Sequence, residues 1–488
     1  MSWQSRWLLR AMGMTMAAGL LASCAQPLDE AQLALREADR AMGGTTLKTL
    51  AYSATGAGAS FGQAYQPGMA WPRIKVTAFE RQIDYENAAL REEATRTRAE
   101  PTGGSALPLM GMGEQRTTVF VRGPSAWNQA AAGASAAPSA VDARIHDLWT
   151  TPHGVLKAAM RNTAHLRREG DRRVIDFSEP GRFTASVWIS PDGLVERVDS
   201  MLPNPVMGDT ASTILFSGYR EAGGIRFPAH IEQHVGGFMV LDLQVTQVQP
   251  NAPVSIELPP SVASFTEQVA VEKAADGVWF LGGGSHNSVL VEMKDHLVLV
   301  ESPLYDGRAQ AVLAQAHALV PGKPVRYVVN SHHHFDHSGG LRAAAAAGAT
   351  LVVSEQARPW FERVLAHANT INPDALARAG GKFTLLGVNG QRTFNDGSRE
   401  IDIFMIEDSI HSQGFMMVWL PKERLLIEAD AYTPGPPGAA PPAQANANNV
   451  NLLQNMERLR IDAQRILPLH GRMVPVTDLR AAVAAPQR

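Results

Sequence analysis

The run Asn330-Ser331-His332-His333-His334-Phe335-Asp336-His337-Ser338-Gly339-Gly340 constrains the fold of this chain more than any other segment. Apolar residues 325–329 before it read as a strand, and alanine-rich residues 341–347 after it read as a helix. Four histidines and an aspartate thus fall within six residues, where a strand hands over to a helix. Such a loop leaves side chains free for chemistry. In an extended segment residues two apart point the same way, so His332 and His334 are predicted to hold one metal ion while Asp336 and His337 turn toward a second. Imidazole and carboxylate are ligands that borderline metals such as zinc prefer. His333 faces away from both positions on this reading.

Two ions need further ligands, and later strand ends supply candidates. His411 lies between predicted strands at 401–406 and 415–420. Asp430 closes the run Leu425-Leu426-Ile427-Glu428-Ala429-Asp430, and His470 ends Ile466-Leu467-Pro468-Leu469-His470. Gly282-Gly283-Gly284-Ser285-His286 is placed at a cleft mouth, Tyr432 follows Asp430, and proline-rich residues 433–446 form a candidate flap. His286 and His367 read equally well as surface histidines.

The 488 residues allow two or three domains. With 44 Lys and Arg against 47 Asp and Glu, the charge of −3 does not fit an electrostatic nucleic-acid binder. A hydrophobic content of 45% excludes a disordered chain. The single cysteine excludes an internal disulfide framework and any cysteine-rich zinc or iron–sulfur site. That cysteine closes an address-like segment, residues 1–24: Arg6 and Arg10, a short apolar stretch at 11–21, then Leu21-Ala22-Ser23-Cys24. The last four residues resemble a bacterial lipobox. The resemblance implies cleavage before Cys24, membrane attachment through lipid on Cys24, and a periplasm-facing place in the cell envelope. Ala25, rather than Asp, after the cysteine is similar to outer-membrane sorting.

Residues 31–42 read as an amphipathic helix ending at Gly43-Gly44. Alternating segments at 117–121, 173–177, 184–189 and 237–248 predict an antiparallel sheet, with 130–140 a flexible loop. Together they predict an α+β domain over 28–250. The helix and meander, with Gly218-Tyr219-Arg220 and Gly224-Ile225-Arg226-Phe227-Pro228, resemble the half-barrel of periplasmic lipoprotein-carrier domains. Residues 251–268 begin with a proline-rich stretch and read as a linker. Beyond it, three close strands at 277–281, 288–292 and 297–301 precede a βα alternation. Its strands are predicted at 325–329, 350–353, 401–406, 415–420 and 424–428, and its helices at 341–347, 359–368 and 450–459. This predicts a layered α/β domain over 269–488.

With His332, His334, Asp336, His337, His411, Asp430 and His470 in this order, that domain resembles the metallo-β-lactamase fold superfamily of metallohydrolases. The resemblance implies an αββα sandwich following the N-terminal sheet domain. It implies a first metal site of His332, His334 and His411, a second of Asp336, His337 and His470, and Asp430 as the bridging carboxylate. Two Zn²⁺ per chain, ~3.5–4 Å apart, would activate a bridging hydroxide that Asp336, as catalytic residue, orients. Two such ions against Asp336, Asp430 and hydroxide leave a charge of about +1, which favours anionic intermediates. Glu301 stands where many relatives have an aspartate.

Other departures narrow the substrate. Ser409-Ile410-His411-Ser412-Gln413-Gly414 lacks the pattern common in true β-lactamases, and Asp430 is followed by Thr433 rather than by a carboxylate-binding lysine. Only 488 − 470 = 18 residues follow His470, too few for a glutathione-conjugate domain. The expectation is therefore a cell-envelope dizinc hydrolase cutting an ester, thioester, lactone or related bond of a small molecule. Two rivals stand beside it. One is an iron-dependent oxygenase on the same fold, resembling sulfur dioxygenases, with one iron on two histidines and an aspartate. The other is a non-catalytic envelope-binding lipoprotein.

Overall fold

The computed structural model describes residues 29–99, 113–440 and 442–484; Cys24 and the rest of the lipobox lie outside them. The first helix, α1 (Glu30–Ala41), begins at Asp29, whose Oδ1 accepts from Gln32 N at 2.8 Å. Ala31, Ala34, Leu35 and Ala38 recur at helical spacing and are buried. The chain turns away at Gly43, where φ is +72°.

Among the described residues, thirteen strands between Thr49 and Pro250 form one antiparallel sheet. β1 (Thr49–Ala59) lies near its middle, paired with β2 (Arg73–Asp84) on one side and with Phe238–Pro250 on the other. From there the chain meanders out to Gly133–Ala136 at one edge and Ala164–Glu169 at the other. α1, α2 (Val141–Trp149) and α3 (Pro152–Arg161) share one core with the sheet, in which Leu35, Leu148 and Leu156 meet Leu50, Tyr52 and Phe183.

Residues 130–140, expected to be a flexible loop, are ordered instead. Ser125–Ala130 pairs with Gly133–Ala136, and a 3₁₀ turn follows at Pro138–Ala140. The small side chains carry little strand signal. Trp127 supplies the order: it is buried, stacks on Phe120 at 5.0 Å, and packs with Ile256 and Val262. Those two residues belong to the expected linker, which contains a helical turn at Pro260–Ala263.

Among the described residues, the remaining chain forms a seven-stranded and a six-stranded sheet. In the first, strands from Ala270 to Val300 pair antiparallel, and Leu297–Val300, Val325–Val329, Thr350–Ser354 and Thr384–Val388 pair in parallel. The near-continuous Val and Leu runs of these strands reflect burial on both faces. Val298, Val300, Val329 and Val352 share a core with Ile401, Val418, Leu426 and Ile466 of the six-stranded sheet. The alternate residues Leu299, Val328 and Leu351 pack instead with Val312, Leu341 and Phe361 from helices. Leu452, Met456 and Leu479, from the helices Ala447–Arg458 and Val476–Val483, join the core shared by the two sheets. Among the described residues no helix is long and apolar enough to cross a membrane.

The sheet domain is seated on this second region. Asp209 N donates to Ala368 O at 2.8 Å, Asp209 Oδ2 accepts from Thr370 N at 2.7 Å, and Gln413 N donates to Tyr65 O at 2.8 Å. Phe61 meets Phe335 edge-on with ring centroids 5.3 Å apart.

Leu299 is fully buried. Replacing it by alanine leaves a void under the helices, and Leu299→Ala is expected to lower unfolding free energy by about 2–5 kcal/mol. Urea denaturation followed by circular dichroism measures this; a loss below about 1 kcal/mol contradicts the packing described.

Candidate metal centre

Every predicted ligand stands at one end of the paired sheets. His332 and His334 occupy the loop after Val325–Val329, while Asp336 and His337 lie in a single helical turn, Phe335–Ser338. Gly339 and Gly340 follow because the turn abuts the 301–304 loop. A Cβ on Gly339 would collide with the Leu304 carbonyl oxygen, and one on Gly340 would lie 2.7 Å from Ser302 O. His411 precedes the strand Met416–Leu420, Asp430 follows Leu425–Glu428, and His470 follows Arg465–Pro468.

These side chains gather into two clusters, each with ligand atoms within 4.8 Å of one another. The first holds His332, His334, His411 and Asp430. His332 Nε2 is 2.9 Å from His334 Nδ1 and 3.1 Å from His411 Nε2. The second holds Asp336, His337, His470 and also His286. Here His337 Nε2 and His470 Nε2 are 3.1 Å apart, and His286 Nε2 is 3.3 Å from Asp336 Oδ2. Asp430 faces both: Oδ2 is 3.0 Å from His411 Nε2, and Oδ1 is 2.7 Å from His470 Nε2 and 3.2 Å from His337 Nε2.

The arrangement fits a cation better than a hydrogen-bond network. Both oxygens of Asp430 are buried without a partner in hydrogen-bond geometry, although imidazole nitrogens stand 2.7 and 3.0 Å away. His332 Nε2 faces two other ring nitrogens at 2.9 and 3.1 Å, and a single proton cannot serve both. Tetrahedral zinc with bonds of about 2.0–2.1 Å places its ligand atoms about 3.3–3.4 Å apart, close to these spacings. The clusters are compatible with two metal sites.

The outer ring nitrogens are held in turn. The fully buried Glu301 accepts from His337 Nδ1 at 2.9 Å and from Ser331 Oγ at 2.5 Å, and Ser331 Oγ accepts from His332 Nδ1 at 3.0 Å. One carboxylate therefore orients a ligand in each cluster and leaves both Nε2 lone pairs facing inward. Glu301 is held at φ +73°, a strained conformation for a residue with a side chain. His470 Nδ1 donates to Ser285 O at 3.0 Å. His334 Nε2 donates to Ala64 O at 3.1 Å, and His333 Nε2 donates to the same oxygen at 2.7 Å. His333 thus points away from both clusters, toward Trp360, while His367 is exposed and meets Met207 O.

Ala64 belongs to the sheet domain, in the connection between β1 and β2. Next to it, Gln63 Nε2 donates to Asp336 Oδ1 at 2.8 Å, and Gly62 O accepts from Phe335 N at 3.2 Å. Gly62 has φ +79°, and a Cβ there would lie 2.6–2.9 Å from the Phe335 ring. Nothing in the composition of residues 60–72 signals this role. His286, balanced in the sequence between cleft and surface, is buried, with its Nδ1 against Ser285 Oγ at 2.8 Å.

Burial, reinforced by neighbouring rings, pushes His332 and His334 well below the usual imidazole range; burial takes His286 down to about 4. His337 goes the other way. Burial alone would lower it, but the Asp430 and Asp336 carboxylates raise it well above the usual value. Asp430 mirrors this: burial would raise it, and His337 and His411 hold it well below the carboxylate range.

Residues 281–464 match the family model of the Metallo-beta-lactamase superfamily. This region is a metallo-beta-lactamase superfamily domain. Members of the superfamily are mostly metal-dependent hydrolases, and the fold typically binds zinc. Among solved structures, the chain is similar to a metallo-beta-lactamase from Hirschia baltica at 20% identity, covering 45% of this chain and 98% of that one with a TM-score of 0.34. A metallo-beta-lactamase from Pontibacter korlensis gives 18% identity, 44% and 98% coverage and a TM-score of 0.34. Rubredoxin oxygen:oxidoreductase from Desulfovibrio gigas gives 15% identity, 44% and 61% coverage and a TM-score of 0.36. Comparison with curated proteins gives no match.

Two outcomes follow from the geometry of the metallo-beta-lactamase domain. Glu301→Gln keeps the volume but weakens the polarisation of His337, so zinc affinity is expected to fall about 10–100-fold in a competition titration; unchanged affinity removes Glu301 from the account. At pH 7 the raised His337 carries a proton in the metal-free chain, whereas an ion requires the bare nitrogen. Zinc loading at pH 7 is expected to release about one proton or more, and affinity to fall as pH drops. Calorimetry in buffers of different ionisation enthalpy reads the protons, and none released contradicts the assignment.

Proposed function

We propose that this chain is a dizinc hydrolase that cleaves an ester, thioester, lactone or related bond of a small molecule. The observation that carries the reading is Asp430, buried without hydrogen-bond partners between two clusters of ligating side chains. His332, His334 and His411 would hold one ion, Asp336, His337 and His470 the other, and Asp430 both. Bound there, the ions would supply Lewis acidity and a nucleophile from water at neutral pH. The chain's own contribution is orientation. Gln63 fixes one oxygen of Asp336, and the other lies in the second cluster, 3.3 Å from His286 Nε2. Glu301 sets the His337 tautomer directly and that of His332 through Ser331.

The proposal includes an αββα arrangement for residues 269–488, a sheet domain over 28–250, and 251–268 as the connection. The sheet boundaries at Pro250 and Ala270 support these limits. It also includes export and lipid attachment at Cys24, for which the support is the sequence of residues 1–24, and a carrier-like half-barrel for the sheet domain, supported by its helices packed on one broad sheet.

A panel of lactones, thioesters, phosphodiesters, sulfate esters and a chromogenic cephalosporin, run with and without chelator, tests the activity. Chelator-sensitive turnover, lost by about 10³-fold or more in the double variant His332→Ala/His334→Ala, is expected. About two zinc per chain is expected in protein purified without added metal; a single iron per chain overturns the reading in favour of oxygen chemistry.

A further inference from the structure

A cavity of about 650 Å³ lies between the sheet domain and the metallo-beta-lactamase domain, and Asp336 forms part of its wall. Phe61, Leu202, Val206 and Val240 line it from the sheet side, and Leu304 and Phe335 from the other. The volume falls in the range of sites that enclose small organic ligands, about 300–1,000 Å³. Its polar wall carries five aspartates, of which three are each paired with an arginine of their own. Asp142 is paired with Arg182, Asp374 with Arg342 and Asp306 with Arg378 at 3.5 Å, while Asp147 lies 3.9 Å from Arg81, whose nearer partner is Glu92. The fifth, Asp336, has no arginine partner among the described residues and faces the second cluster of ligating side chains.

We propose that this cavity binds the apolar, uncharged portion of the substrate. The substrate class is then an ester or thioester carrying an alkyl or acyl chain of medium length, held across both domains while its carbonyl reaches the metal centre. This rests on the hydrolase reading and narrows it. The excess of carboxylates disfavours an anionic occupant, and an uncharged chain leaves the paired aspartates undisturbed while it covers the apolar side chains. The apolar residues contributed by both domains reward burial of each methylene. The position of the β1–β2 connection agrees: the segment that holds Asp336 through Gln63 also supplies Phe61 to the cavity wall. The sheet domain on this account selects the substrate and steadies the centre that cuts it.

Two measurements on the full chain test the proposal. The first is binding of the neutral fluorophore N-phenyl-1-naphthylamine to zinc-free protein, so that it reports on the cavity whether or not hydrolysis occurs. The second is the ratio of kcat/KM for p-nitrophenyl octanoate to that for the acetate in zinc-loaded protein. Two plugging variants are compared with the parent, Ala143→Trp on α2 and Val240→Trp on the strand Phe238–Pro250; Ala143 is exposed and lines the cavity, so it tolerates a large side chain. Unchanged circular dichroism and zinc content certify folding, and 1-octanol competition in the parent gives a readout without any variant. Near-stoichiometric fluorophore binding displaced by octanol, weakened about tenfold or more by either tryptophan, together with a similar fall in the octanoate-to-acetate ratio, is the expected result. Fluorophore binding that ignores both variants and octanol, or an unmoved ratio, overturns the proposal. Fluorophore binding blocked by tryptophan with no ester cleaved by the parent overturns the hydrolase reading while leaving the apolar site in place.

Discussion

Asp430 extends one oxygen toward His337 and His470 and the other toward His411, at 4% exposure and without a hydrogen bond to either. A buried carboxylate with orphaned oxygens costs several kcal/mol unless a positive charge meets it. In the metal-free chain the proton on His337 is that charge, which is why the His337 and Asp430 titrations are displaced in opposite directions. A divalent ion in each cluster would compensate the same carboxylate more fully and satisfy imidazole nitrogens that otherwise face one another. The strand ends, the glycine pair and the strained Glu301 serve to bring these side chains together around Asp430.

The centre is not confined to the metallo-beta-lactamase domain. The carbonyl of Ala64 fixes the tautomer of His334, so that Nδ1 rather than Nε2 faces the first cluster, and Gln63 occupies one oxygen of Asp336 in the second. Both residues come from the sheet domain, in the connection between the long paired strands β1 and β2. Outer hydrogen bonds of this kind are worth one to two orders of magnitude in metal affinity. The two domains are therefore coupled through the site itself, and a change in how the sheet sits reaches both clusters.

Much of this was legible in the sequence, for a physical reason. The ligands are polar residues at the ends of strongly apolar strands, and that contrast survives in one dimension. His332, His334, Asp336, His337, His411, Asp430 and His470 were readable because each interrupts or ends such a run, and the structure brings all seven together. The helix at the start and the parallel strands were visible from periodicity and from runs of Val and Leu. What stayed hidden depends on contacts distant in sequence. His286 follows three glycines and carries no local sign that folding buries it against His337 and His470. Gln63 acts through a residue 273 positions away. The hairpin through Gly133–Ala136 is built from alanine, serine and glycine, and its order comes from Trp127 and from the supposed linker packed against it.

Anomalous X-ray diffraction from crystals of the zinc-loaded chain, recorded on both sides of the zinc absorption edge, tests the central claim most directly. The account requires two zinc peaks about 3.5–4 Å apart, one among His332, His334 and His411, the other among Asp336, His337 and His470, with Asp430 touching both. A map with no peak beside Asp430, or with zinc bound only at surface side chains, would contradict it.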